Sequence, residues 1–373
     1  MQYEIPFVNF GAQYLSIKKE IIEILDETLT KGNLILRDEL QLFEETVANK
    51  LGVKYAIGVN SGTDALFFSL KSCGIGERDE VITVANTHIS TIATILQTGA
   101  KPILVDIGYD YNIDTKLIER KITKRTKAIL PVHMNGRCCN MDDVMSIANK
   151  YRLIIIEDTA QAFSAKFKDR FAGTFGNAGC LSFHPMKVLG AFGDGGMVIT
   201  NSDEINKNIR LWRNHGVDKS KNEHVCFGYN SRLDNIQAAI LSVKLKHLDD
   251  WIFRRRKIYK TYFSKLYNLV LVPQPIEEGN YFDIAQNFVI LFNSKHEKEQ
   301  FIEYMANFSI EVMSFVATPI NNSHYLPEIM CHLPFTESVI NQGIMLPIYP
   351  ELEDNDVNTI IFRTKEFIKG ASE

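Results

Sequence analysis

The chain has 373 residues, 45% of them hydrophobic and 23% charged, which suits a globular enzyme with one large and one smaller domain and excludes a small stapled scaffold. A formal net charge of −4 supplies no basic field, so nucleic acid is not an expected partner. No apolar run reaches bilayer length, the N-terminus lacks a signal-peptide pattern, and the six cysteines show no zinc or redox spacing, so a cytoplasmic, metal-free protein off the membrane is expected.

Leu40, Phe43, Val47 and Leu51 recur at helical spacing and stop before Gly52. A strand at Tyr55–Val59, a turn at Asn60–Gly62 and a helix from Thr63 follow. The strand Glu80–Val84 leads through Ala85-Asn86-Thr87-His88 into a helical stretch at Ser90–Leu96, then a strand at Ile103–Asp106. Further buried strands are expected at Ala128–Val132, Leu153–Glu157 and Cys180–Phe183, after which the chain doubles back into Met197–Thr200. Short apolar runs alternating with helices predict an α/β fold with a mostly parallel, doubly wound sheet. From Leu233 to about Tyr267 one long helix is expected, with Ile236, Ala239, Ile240, Val243 and Leu248 on its apolar face. Its run Arg254-Arg255-Arg256-Lys257 reads as solvated surface, with a contact to a diphosphate or carboxylate as the alternative. Pro273, Pro275 and Gly279 then break the pattern, and short strands and helices continue as an α+β unit. The large domain is placed at 1–245 and the small C-terminal domain at 246–373.

In an open parallel sheet, ligands bind beyond the carboxyl ends of the strands, and four such loops carry chemistry. In Ser61-Gly62-Thr63-Asp64 a glycine and hydroxyls open a helix, which suits a phosphate; a plain helix cap is the alternative. In Glu157-Asp158-Thr159-Ala160-Gln161 an acid stands just past a buried strand and needs a positive partner. A protonated pyridine nitrogen at about 4 Å, with an effective dielectric near ~20, would attract it by about 4 kcal/mol before desolvation. A helix cap or a metal-binding acid explains the same pattern. Ser182-Phe183-His184-Pro185-Met186-Lys187 precedes a turn rich in glycine, Gly190 to Gly196, and makes Lys187 a candidate nucleophile rather than a surface lysine. His88 offers a flat ring to cover a cofactor, or is a satisfied structural histidine.

Taken together, these segments make the chain similar to the sugar aminotransferases of the fold-type I pyridoxal phosphate (PLP) enzymes, which make amino sugars for bacterial glycans and antibiotics. The likeness runs in order through Ser61-Gly62-Thr63-Asp64-Ala65-Leu66, Pro131-Val132-His133, Glu157 to Gln161, Ser182 to Lys187 and Gly193-Asp194-Gly195-Gly196. It continues through Asn230-Ser231-Arg232-Leu233-Asp234, Gln237-Ala238-Ala239 and Leu346-Pro347. The resemblance implies a large PLP-binding domain and a smaller C-terminal α+β domain. It implies that Lys187 forms the Schiff base, that Asp158 pairs with the pyridine nitrogen, and that Gln161 bonds near the ring hydroxyl. Gly62, Thr63 and Ser182 would hold the phosphate, with Asn230 and Arg232 reaching it from the second subunit of a homodimer. His88 takes the ring-stacking position. Glutamate is the implied donor and a nucleotide-linked keto-sugar the implied acceptor, with a keto-sugar acid as runner-up.

Three segments depart from the pattern: Met186 and Val188 beside Lys187, the loop Asn135-Gly136-Arg137-Cys138-Cys139, and Thr318 to Tyr325, where relatives carry a histidine motif near the sugar. Related sugar dehydratases carry histidine in place of the lysine, and Lys187 argues against that reading. A non-catalytic PLP-binding regulator is the rival from outside enzymology. A nicotinamide oxidoreductase would need a G-x-G-x-x-G fingerprint after the first strand, and Asn60 to Ala65 lacks one.

Overall fold

Local signals start and stop the helices. Asn9 opens α1 (Phe10–Lys31) by accepting from the Ala12 N–H, and α2 (Asp38–Leu51) ends at Gly52, whose φ of +68° is the left-handed region that glycine enters without strain. In α2 the residues Leu40, Phe43, Val47 and Leu51 are buried, as their spacing predicts. The computed structural model describes residues 3–218, 220–271, 279–315, 321 and 330–370.

Seven strands form the main sheet: β1 (Tyr55–Val59), β2 (Glu80–Val84), β3 (Lys101–Val105), β4 (Thr126–Ile129), β5 (Ile154–Asp158), β6 (Ala178–Ser182) and β7 (Gly196–Thr200). Their order is β1-β7-β6-β5-β4-β2-β3. The run from β3 to β6 is parallel, while β7 lies antiparallel between β1 and β6. The fold is thus α/β with a mostly parallel sheet. Both β2 and β7 are buried at every position, which requires cover on both faces. The covering helices include α3 (Gly62–Ser72), α4 (Ile89–Gln97), α5 (Met141–Tyr151) and α6 (Asp203–Trp212).

One strand ends earlier than the sequence predicts. The stretch expected to run to Val132 leaves the ladder after Ile129, because Pro131 has no N–H to donate. Pairing resumes in an isolated parallel bridge between Val132 and Asp158, where the His133 N–H donates to the Asp158 carbonyl at 3.0 Å. This bridge fixes the end of β5.

The long helix, α7 (Asn235–Leu266), joins the two parts of the chain. Its Ile240 and Val243 pack with Ile17 and Ile21 of α1, whereas Ile258, Tyr262 and Leu266 belong to a second core. That core lies around the antiparallel sheet β8-β10-β9, made of β8 (Phe288–Leu291), β9 (Met313–Ser314) and β10 (Gly343–Leu346). Helices α8 (Lys295–Asn307), α9 (Pro334–Gln342) and α10 (Asp354–Gly370) complete it. The N-terminus returns to this lobe: Ile5 bridges to Ile310, and the Phe7 N–H donates to Glu311 at 2.8 Å.

The basic run on α7 divides. Arg254 and Lys257 pair with Asp354 at the surface, but Arg255 is buried and donates to the carbonyls of Ile348 (2.8 Å) and Gln286 (3.3 Å). A solvated-surface reading therefore fails for Arg255, whose hydrophobic neighbours on α7 turn it inward. No helix among the described residues is long and apolar enough to cross a membrane.

Candidate active site

The site grows from the carboxyl ends of β1, β2, β5 and β6. After β1, Ser61 caps α3 by accepting from the Asp64 N–H at 3.1 Å, so the capping role falls to Ser61 and frees Thr63. The Thr63 hydroxyl donates to Ser90 Oγ at 2.8 Å. The first N–H groups of a helix have no partner within it and gather partial positive charge, so Gly62 and Thr63 present donors to an anion. Ser182, at the end of β6, closes on the same point: a Cβ on Gly62 would lie 2.8 Å from that of Ser182. Gly196, starting β7, is tighter still, since a Cβ there would lie 2.2 Å from the Ser61 carbonyl.

After β2, His88 caps α4. Its Nδ1 accepts from the Ser90 N–H (3.3 Å) and lies 2.8 Å from Ser90 Oγ, which leaves the ring proton on Nε2. The chain Thr63–Ser90–His88 thus links the helix start to the imidazole. Burial, then the charge of Lys187, holds His88 below the ordinary histidine value, with Asp158 opposing.

At the end of β5 two adjacent acids part company, because neighbouring residues of a strand face opposite sides. Glu157 is fully buried and accepts from the N–H groups of Gly173 (2.8 Å), Phe175 (2.7 Å) and Gly176 (2.7 Å). It also accepts from His133 Nε2 at 2.8 Å; the His133 Nδ1 receives the Cys139 N–H, so the proton lies on Nε2. Glu157 is therefore a structural acid. Asp158, also buried, accepts from the Thr91 hydroxyl at 2.8 Å and the Ala160 N–H at 3.1 Å. Thr87 lies 2.7 Å from Thr91 and completes a hydroxyl chain that orients the Asp158 carboxylate.

Lys187 follows β6 in a tight turn, its N–H donating to the His184 carbonyl at 2.9 Å. Its amine makes no hydrogen bond to a described residue. Burial holds that amine below the ordinary lysine value, with Asp158 the opposing influence. His184 is lowered by burial and then by Lys187. Lys187, Asp158, His88 and His184 thus share one electrostatic neighbourhood. Gln161 Oε1 accepts from the Asn135 N–H (3.0 Å) and the Asn287 amide (3.3 Å), leaving its own amide protons without a described partner.

Two of the expected residues bond to Asn214 instead of to the site. Asn230 is exposed and bridges to Asn214, and Arg232 donates to the Asn214 side chain at 3.2 Å; neither bonds to Lys187 or Asp158. Between them Ser231 donates to Asp64 at 2.6 Å, which ties the segment to the start of α3. Of Thr318 to Tyr325, all but Asn321 lie outside the described residues. The sequence did not single out Thr91 or Ser90. Thr87 and Thr91 stand four apart across a helix start, which is a weak signal.

This donor set fits PLP: an amine with depressed basicity, a buried and oriented carboxylate, and a helix start with hydroxyls for a phosphate. Comparison with known proteins agrees. Residues 15–364 match the DegT/DnrJ/EryC1/StrS aminotransferase family. A dTDP-3-amino-3,6-dideoxy-alpha-D-galactopyranose transaminase of Aneurinibacillus thermoaerophilus is 38% identical, covering 96% of this chain and 98% of its own. A UDP-2-acetamido-2-deoxy-3-oxo-D-glucuronate aminotransferase of Pseudomonas aeruginosa is 35% identical over 95% and 98%. A Geobacillus stearothermophilus protein named pleiotropic regulatory protein is 37% identical over 98% and 99%. The crystal structure of S. venezuelae DesV with a ketimine intermediate superposes with a TM-score of 0.92 at 33% identity, over 98% of both chains. With the fold, the poised lysine and these relatives in agreement, the chain belongs to the DegT/DnrJ/EryC1/StrS family and is a PLP-dependent sugar aminotransferase.

Proposed function

We propose that this enzyme moves an amino group from glutamate to a nucleotide-linked keto-hexose carrying its ketone at C3. The observation that carries the chemistry is the Lys187 amine, depressed by burial and unbonded, in the field of buried Asp158. Two relatives bear names that specify 3-amino or 3-oxo nucleotide sugars, which supports the choice of acceptor.

In this reading Lys187 would be the covalent attachment point, Asp158 would pair with the pyridine nitrogen and Gln161 would bond near the ring hydroxyl. Gly62, Thr63 and Ser182 would hold the phosphate, and His88 would stack on the ring. Bound PLP supplies an electron sink for the substrate carbon that gives up its proton. Asp158, held in aim by Thr91, would keep the ring nitrogen protonated. The Lys187 amine, its basicity lowered by burial, would be the base for the donor α-carbon proton. The division into lobes at 1–245 and 246–373 falls within α7, and the site would open between them.

Asn230 and Arg232 act from a second copy in a homodimer. Exposed apolar residues support that assembly: Leu15, Ile22 and Leu29 recur every seven residues on α1, and Phe227, wholly exposed, stands three residues before Asn230. A regulator without turnover would have no need of an amine tuned in this way.

The test is amine transfer from glutamate to a panel of nucleotide 3-keto and 4-keto sugars and free keto-sugar acids, followed by 2-oxoglutarate release. Transfer to a 3-keto nucleotide sugar, lost in Lys187→Ala, is expected. Transfer to free sugar acids alone would overturn the acceptor, and near-normal turnover of Lys187→Ala would overturn the nucleophile.

A further inference from the structure

The loop bearing Lys187 is fastened from the other lobe. Gln286 stands two residues before β8, 100 positions from Met186, and is largely buried. Its Oε1 accepts from the Val188 N–H at 3.0 Å, and its Nε2 donates to the Met186 carbonyl at 3.0 Å. One amide therefore grips the residues on both sides of Lys187. The gripping residue is itself held. The Gln286 N–H donates to the Asn135 carbonyl at 3.2 Å, and buried Arg255 donates to the Gln286 carbonyl at 3.3 Å. The next residue, Asn287, donates to Asn135 Oδ1 (2.9 Å) and Gln161 Oε1 (3.3 Å).

We propose that Gln286 is a positioning residue for Lys187, and that Gln286–Asn287 is the yoke by which the small lobe sets the lysine and Gln161 together. This rests on the reading of Lys187 as the attachment point. The physical argument is directional. A lysine side chain has four freely rotating bonds, so its aim depends first on the Cα–Cβ direction, which the two flanking peptide planes fix. A reacting group must be held to within about 0.5 Å and 10–20°. The turn bond from Lys187 N–H to His184 constrains only the preceding side. Gln237, which brackets the Phe192 backbone at 3.0 and 3.1 Å, acts five residues downstream. Gln286 alone of the described side chains bonds the backbone on both sides of Lys187. A glutamine that served only to dock the lobes could do so anywhere on this surface; here both ends of its amide are spent on the lysine turn.

The test uses the full-length protein and the variant Gln286→Leu, which keeps the bulk and removes both bonds. PLP is added to apoprotein and the growth of the lysine-linked visible band is timed, then titrated with pH. Colour formation slowed at least fivefold, a displaced pH midpoint, and kcat lowered tenfold or more with the donor KM within threefold are expected, at a Tm within a few degrees of wild type. A further measurement needs no variant: hydrogen exchange of the wild-type Val188 amide, expected to be protected as strongly as the amides of β7. A wild-type Val188 amide that exchanges like an open loop overturns the proposal, as does a Gln286→Leu protein with normal colour kinetics and midpoint. A wild type that forms no covalent colour at Lys187 instead brings down the attachment reading and this inference with it.

Discussion

Glu157 and Asp158 show how little a residue type says about its role. Both are buried acids at one strand end, and their surroundings divide the work: four donors fill Glu157, while two oriented donors leave Asp158 able to face a cation. Replacing Glu157 with Ala strands buried N–H groups, each costing about 1–3 kcal/mol. Glu157→Ala is therefore expected to lose several degrees of Tm or fail to fold, and a purified variant as stable as wild type would contradict this. Asp158→Asn tests the proposed pyridine role. Asp158 raises the basicity of Lys187 by its charge, so its removal lowers the Lys187 pKa further. Competitive amine labelling of the apoprotein across pH should show the midpoint for Lys187 moving down. Amine transfer should fall by two or more orders of magnitude, about 3 kcal/mol; a loss under threefold would remove Asp158 from the pyridine role.

At the scale of elements, β1, β6 and β7 meet at the corner proposed to hold the phosphate. Gly196 gives the Ser61 carbonyl room, and Gly62 gives room to Ser182. Gly196→Ala must push the Ser61–Gly62 turn away from Ser182. Its expected effect is a PLP dissociation constant raised tenfold or more, read by fluorescence titration, with the far-UV spectrum retained; unchanged affinity would show that the turn moves without cost. Pro131 acts in the same region by a missing donor. It ends β4 early and lets the Val132–Asp158 bridge form, so the end of β5 at Asp158 is set by an interruption in its neighbour.

At the scale of the whole molecule, buried polar side chains join distant segments. Lys244 on α7 donates to Gln13 of α1 and to the Gly190 carbonyl, both at 2.7 Å, with its amine 3.9 Å above the Phe192 ring centroid. Burial lowers its pKa from 10.5 to about 8, with Glu351 opposing. Between about 8 and 10.5 the unfolded chain binds more protons than the folded one at this residue, so its contribution to stability rises with pH across that window. Lys244→Met should flatten that slope in urea unfolding; parallel pH profiles of variant and wild type would show that Lys244 is not the group concerned. Assembly belongs to this scale too. Light scattering should give twice the chain mass, and Phe227→Ser with Leu29→Ser should shift the protein toward monomer and weaken PLP binding, since Asn230 and Arg232 would then be lost to the partner site.

The sequence determined by itself what local rules control. The helical spacing of α2, the apolar runs of β1 and β2, the reach of α7 and the ordered motifs around Gly62, Asp158 and Lys187 were all legible, because they depend on neighbours a few residues apart. The capping alternative at Ser61 was also correct as far as it went; the fold assigned that duty to Ser61 and left Thr63 for Ser90. Tertiary structure alone decided which of two adjacent acids was satisfied, that Arg255 turned inward from a charged run, and that Gln286 bonds to Met186 and Val188 on either side of Lys187. Those outcomes depend on which backbone donors and carbonyls the packed chain brings to a side chain, and a pairing between distant segments leaves no periodicity in either one.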